Sequence, residues 1–112
     1  MHEFAITCNI VELVAQAAEG RRVRRVTLEI GRLSGVLPDS IAFCFPEVAR
    51  GTDAEEASLD IREIDALAHC EACGEEFATP SLLTICPCGS LSFERVKGHE
   101  LNIKSIEIEE FG

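Results

Sequence analysis

Apolar side chains recur at Phe4, Cys8, Val11, Ala15 and Ala18, at spacings of four, three, four and three, which draw a single stripe along a helix over residues 4–18. Gly20 ends that helix. From Val26 the period drops to two: Val26, Leu28 and Ile30 face one way and Thr27 and Glu29 the other, the pattern of a half-buried strand that stops at Gly31. Gly31-Arg-Leu-Ser-Gly35 then reads as a loop. Pro38-Asp39-Ser40 opens a second helix, with Asp39 or Ser40 as its cap and Ile41, Phe45 and Val48 on its inner face. Pro46 falls inside it, where the ring opposes the carbonyl four residues back, so this helix is expected to kink or to begin late.

Leu59 and Ile61 alternate with Asp60 and Arg62 as a second strand. Leu101 and Ile103, then Ile106 and Ile108, make a third, whose inward phase slips by one residue. A β-bulge near Lys104 or Ser105 would absorb the slip. Between the second and third strands lies a segment of different character. The expected fold class is α+β, a small sheet of about three strands packed with two helices and carrying an inserted zinc-ribbon-like module. Residues 1–66 plus 99–112 would form the α/β domain and 67–98 the insertion. If the two strands that flank the insertion pair with each other, the module hangs from the body on two tethers. Phe77, Leu82, Leu83, Ile85 and Phe93 would give it a core too small to fold alone, so bound metal must contribute to its folding.

The metal is called for by Cys70-Glu-Ala-Cys73 and Cys86-Pro-Cys88, four thiols that read as one tetrathiolate zinc site. Gly74 and Gly89 follow the two pairs and supply the left-handed backbone that lets a chain turn back past a metal. Four thiolates close a tetrahedron and leave no position for a reacting water, so the site reads as structural rather than catalytic. Cys-Pro-Cys is one residue tighter than Cys-x-x-Cys. Should one thiolate fail to reach, His69 or His99 is the natural substitute. Cys8 and Cys44 sit in apolar stretches and read as small buried hydrophobes.

Twenty acidic residues against ten basic ones leave a formal charge of −10 on 112 residues, which repels phosphate backbones and argues against nucleic acid as a partner. No leader or membrane segment is evident, so the chain reads as cytoplasmic, a setting in which six cysteines favour metal over disulfides. The sequence carries no Gly-rich phosphate cradle, no nucleophile elbow and no paired acid and base, and nothing in it reads as an enzyme.

Met1-His2-Glu3 offers a second kind of metal site. A terminal amine, the deprotonated amide of His2 and its imidazole are three nitrogens that can lie near one plane, the arrangement nickel(II) and copper(II) favour. Bulky His2 favours retention of Met1. A histidine in second position is also commonplace, and an uninvolved terminus is the alternative reading.

Met1-His2-Glu3-Phe4, the stretch Leu28-Glu-Ile-Gly-Arg-Leu-Ser-Gly35, the paired cysteines ending Cys86-Pro-Cys-Gly-Ser90, and the tail Gly98-His-Glu-Leu101 through Lys104-Ser-Ile106 together resemble the HypA/HybF family of nickel-incorporation proteins over the whole chain. The resemblance implies a nickel metallochaperone for nickel–iron (NiFe) hydrogenase maturation, not an enzyme. It implies Ni(II) as transient cargo, held by His2 with main-chain nitrogens of Met1, His2 and Glu3, and structural Zn(II) on Cys70, Cys73, Cys86 and Cys88. His69, His99 and Asp39 are accessory candidates. The implied partners are a nickel-handling, HypB-like GTPase and the hydrogenase large-subunit precursor, served by a monomer or homodimer. Two departures from the family pattern are the Cys-Pro-Cys spacing and Pro46. A zinc-ribbon module for protein or nucleic-acid contacts, or a zinc-thiolate redox sensor, is the competing class.

Overall fold

The computed structural model describes residues 2–81 and 83–110. Helix α1, Glu3–Ala18, buries Glu3, Thr7, Ile10, Val11, Val14 and Ala18 along one stripe and ends where Glu19 (φ 51°) and Gly20 (φ 84°) turn left-handed. Strand β1, Val23–Gly31, follows, then helix α2, Pro38–Ala49, and strand β2, Ser58–Ile64. Three short strands, β3 Leu67–Cys70, β4 Glu76–Ala78 and β5 Phe93–Lys97, precede β6, Leu101–Ile108. Arg24 and Arg25 are exposed positions of β1.

Two three-stranded sheets result. In the first, β1 is central, with β2 parallel on one side and β6 antiparallel on the other. Val23, Val26, Leu28 and Ile30 of β1 are fully buried, and Ile10, Val14, Ile41, Phe45 and Ala49 of the helices complete that core. Thr27, expected to face outward, is buried too. The strands that flank the cysteine segment do not pair with each other. They lie on opposite edges of β1, because β1 offers both of its edges while periodicity fixes only which face each strand buries. The bulge falls where the phase slip put it: Thr27 pairs with Ser105 and Leu28 with Ile103, leaving Lys104 as the extra residue of β6.

Helix α2 runs through Pro46 without beginning late, with Pro38 in its first turn, where a missing N–H costs nothing. Its N-cap is Leu37, and neither Asp39 nor Ser40 caps it with a side chain. Leu37 instead donates its N–H to the Glu3 carboxylate at 3.2 Å, which seats the start of α2 against the start of α1.

The second sheet has β3 at its centre, antiparallel to both β4 and β5. The first sheet meets it through the loop after β1. Arg32 N–H reaches the Ile64 carbonyl (2.9 Å), Leu33 N–H the Gly98 carbonyl (2.8 Å) and Gly31 N–H the Glu100 carbonyl (2.8 Å), so one short loop holds both tethers. Arg32 adds ion pairs to Asp65 (2.5 Å) and Glu63 (3.3 Å).

Candidate metal centre

The two cysteine pairs arrive from separate turns. In the first, Gly74 N–H returns to the Cys70 carbonyl (3.0 Å) and Cys70 N–H to the Glu75 carbonyl (2.9 Å), with Gly74 at φ 79°. In the second, Gly89 N–H reaches the Cys86 carbonyl (2.8 Å) at φ 92°. That turn, closed three residues on, folds Cys88 back over Cys86 despite the missing spacer. All four Sγ atoms lie within 4.8 Å of one another, with Cys70–Cys88 and Cys73–Cys86 each at 3.7 Å. A tetrahedron with metal–sulfur bonds of about 2.3 Å has edges of about 3.8 Å, so the thiols already stand where a zinc ion would hold them. His69 is exposed on β3, and neither it nor His99 joins the cluster.

Without a cation, Cys70 and Cys86 are pushed in opposite directions. Cys70 is drawn down to about 6, first by the Cys73 N–H that points at its sulfur (3.4 Å). At Cys86 the Cys88 N–H also favours the thiolate, but burial and the neighbouring thiols outweigh it and push the group up to about 12. A bound divalent cation removes this conflict by accepting all four charges. Cys70 and Cys86 are buried, Cys73 and Cys88 exposed, so the centre has an inner and an outer face.

Little else fills the module. Phe77 and Phe93 meet edge to face with centroids 5.5 Å apart, and Ala66, Ala68 and Thr79 are buried. Leu83 and Ile85, expected in its core, are exposed. They follow β4 in a stretch without a strand to aim them inward, and Leu82 lies outside the described residues. Among the described residues few apolar groups then remain beside the thiols, the condition in which a bound metal would contribute most to order.

The second candidate site is at the start of α1. Met1 lies outside the described residues. His2 is exposed, and its carbonyl accepts the Ile6 N–H (2.9 Å) as the first step of the helix. Main-chain nitrogens in a first helical turn have no role in the helical ladder, so metal binding there does not compete with α1. The Glu3 side chain is buried and engaged by Leu37, while Thr7 Oγ1 donates to the Glu3 carbonyl (2.6 Å). Asp39, two residues beyond Leu37, is exposed in the first turn of α2. Sequence reasoning missed the structural role of the Glu3 carboxylate. Glu3 lies outside the stripe read from the sequence, which began at Phe4, so nothing in the apolar spacing pointed to it.

Two helices on a three-stranded sheet, a second small sheet and a convergent tetrathiolate define a small α+β metal-binding protein rather than a site for reaction chemistry. The comparisons narrow that class. A family model described as "Hydrogenase/urease nickel incorporation, metallochaperone, hypA" matches residues 1–108, and the chain belongs to that family. The hydrogenase maturation factor HypA of Nostoc sp. is 49% identical over 110 residues, covering 98% of this chain and 97% of its own. That of Chlorobium limicola is 52% identical over 114 residues, covering 98% of each. The solution structure of the Ni metallochaperone HypA from Helicobacter pylori has the same fold, with a TM-score of 0.69 at 23% identity over 96% of this chain and 97% of that one. The family is one of nickel metallochaperones in hydrogenase maturation, not of enzymes.

Proposed function

We propose that this chain binds Ni(II) at its N-terminus and delivers it, in the cytoplasm, to the large-subunit precursor of a nickel–iron hydrogenase, with a HypB-like GTPase sharing the nickel. The ligands are the His2 imidazole and main-chain nitrogens of Met1, His2 and Glu3, in a near-planar set suited to Ni(II). Cys70, Cys73, Cys86 and Cys88 hold a structural Zn(II). Residues 67–98 are its inserted domain, carried by residues 1–66 plus 99–112.

The observation that carries this reading is the closure of the thiolate cluster. Four converging thiols leave no open position, so cargo must bind elsewhere, and the nitrogen-rich start of α1 stands ready in a chain of a nickel-incorporation family. Cargo also has to leave. A terminal chelate at an exposed helix end can be approached by an acceptor ligand by ligand, whereas a closed tetrathiolate cannot.

The spin state of bound nickel tests the ligand set. Planar four-nitrogen nickel is diamagnetic, so tag-free protein loaded with one nickel should show no added paramagnetism in solution. A paramagnetic, octahedral product contradicts the proposed set.

A further inference from the structure

The solvent face of α2 is apolar. Ala42, Phe43 and Pro46 are all exposed and lie three and four residues apart, so they form one ridge, and Phe43 stands 84% exposed. Leu37 (59% exposed) sits at the start of the same helix, about 9 Å down the axis from Phe43. Its N–H bond to Glu3 ties it to the start of α1, where the next residue, Phe4, is 63% exposed. Phe4 and Leu37 thus lie at the end of the body where His2 is, with Phe43 six residues along α2 from Leu37, while Leu13 and Leu101 are exposed elsewhere on the body. Nothing in the core needs Leu37 or Phe43, since Ile41 and Phe45 supply the buried side of α2. A phenylalanine this exposed is a docking feature more than a packing one.

The charge around this face selects its occupant. Asp39 is exposed at its edge and has no cationic partner among the described residues, Glu47 is exposed further along, paired to Arg50, and the whole chain carries −10. A second copy would bring like charge against like charge. A surface with an apolar hollow ringed by Lys and Arg fits instead. Nickel transfer also requires the acceptor to come within bonding distance of His2, so whatever accepts the metal must cover this end.

We propose that Phe43, with Ala42, Pro46, Leu37 and Phe4, is the docking surface for the protein that accepts the nickel, and that the acceptor meets it with an apolar hollow rimmed by basic residues. This rests on the proposed delivery of nickel from the N-terminus. Pro46 gains a reason on this reading: it costs the helix one N–H bond and adds a rigid apolar ring three residues from Phe43 on the exposed face.

The test measures binding of the nickel-loaded full chain to purified hydrogenase large-subunit precursor, at low and at moderate salt. Phe43→Ser and Ala42→Arg should each weaken binding about tenfold or more, the loss expected of a buried aromatic anchor. Wild-type affinity should also fall as salt rises. Leu83→Ser, at an exposed leucine of the other sheet, should bind as wild type, and all variants should keep their nickel and zinc. Unchanged affinity in both face variants overturns the proposal. So does a wild-type chain that binds the GTPase but not the precursor through this face, or a concentration-dependent homodimer that Phe43→Ser dissolves. The nickel assignment fails separately, if His2→Ala retains nickel, and the affinity series remains readable in that event.

Discussion

Gly31 and Gly98 approach so closely that a Cβ on Gly31 would overlap the Gly98 carbonyl and stand 2.6 Å from the Glu100 nitrogen. Gly98 itself, at φ +118°, has no room for a Cβ, which would lie 2.6 Å from the Cβ of Ala66. The last residue of β1 thus sits against one tether of the thiolate module, and that tether against the other. Backbone meets backbone there, so no side-chain rotation relieves the contact.

Gly31→Ala should therefore destabilise the protein by about 2 kcal/mol or more, as overpacking without an escape route does. Gly74→Ala is the contrast: its Cβ would meet nothing within 4 Å, and only the left-handed backbone (φ 79°) opposes it, at about 1 kcal/mol. Urea unfolding of the two zinc-loaded variants checks the order. Equal losses would contradict the close approach.

Glu3 contributes by a different route. Glu3→Ala leaves the Leu37 N–H without its carboxylate acceptor and frees the start of α2 from the start of α1. The variant should melt at a lower temperature than wild type, and Glu3→Gln, which keeps an acceptor oxygen, should recover part of the loss. Hydrogen exchange at Leu37 reports the bond itself. Protection there that survives Glu3→Ala would refute it.

The thiolate cluster makes a prediction in protons. Cys70, drawn down to about 6 from an ordinary value of 9.0, contributes stability that is full above about pH 9 and lost as the pH falls through about 6. Cys86, raised to about 12, acts in the opposite sense: the unfolded thiol ionises first, so its effect is to weaken the metal-free fold as the pH rises past about 9. At pH 7 Cys70 is already mostly a thiolate. Zinc added to the metal-free protein should then release fewer than four protons, measured by calorimetry in buffers of different ionisation enthalpy. Release of four would contradict the ionised Cys70.

Cys73→Ser and Cys88→Ser should each weaken zinc binding strongly and disorder the second sheet, while the α1–α2–β1 core, which shares no buried thiol with it, stays folded. Amide spectra of either variant should lose dispersed signals for residues 67–97 and keep those of β1. Retention of wild-type zinc affinity in Cys88→Ser would remove that thiol from the ligand set.

The parts of this fold legible in the sequence were those set by local period. The existence of α1, the apolar face of β1 and even the Lys104 bulge follow from which residues are apolar and at what spacing, but the stripe drawn along α1 was turned about its axis: Phe4 is exposed and Cys8 and Ala15 are half-buried, while Glu3, Thr7, Ile10 and Val14 face the core beside Val11 and Ala18. Strand pairing was not legible, because β2 and β6 each need an edge of β1 and nothing local says which; the pairing between them that the sequence left open does not form. The short strands β3, β4 and β5 escaped notice for a similar reason: with three to five residues each, their order comes from pairing and from the thiols rather than from alternation. The cysteine quartet was legible from spacing, but whether the tight Cys86-Pro-Cys88 turn lets both thiols reach one point was left open until the structure brought all four together. The stacking of Gly31, Gly98 and Ala66 was not, since each glycine by itself reads only as a turn.

Cargo and structural metals are proposed to occupy different sites, and His2 separates them. Tag-free wild-type protein and His2→Ala should be titrated with nickel, with zinc quantified in both. His2→Ala should lose high-affinity nickel binding and keep one zinc per chain. Unchanged nickel affinity in His2→Ala, or loss of zinc together with nickel, would contradict that separation of sites.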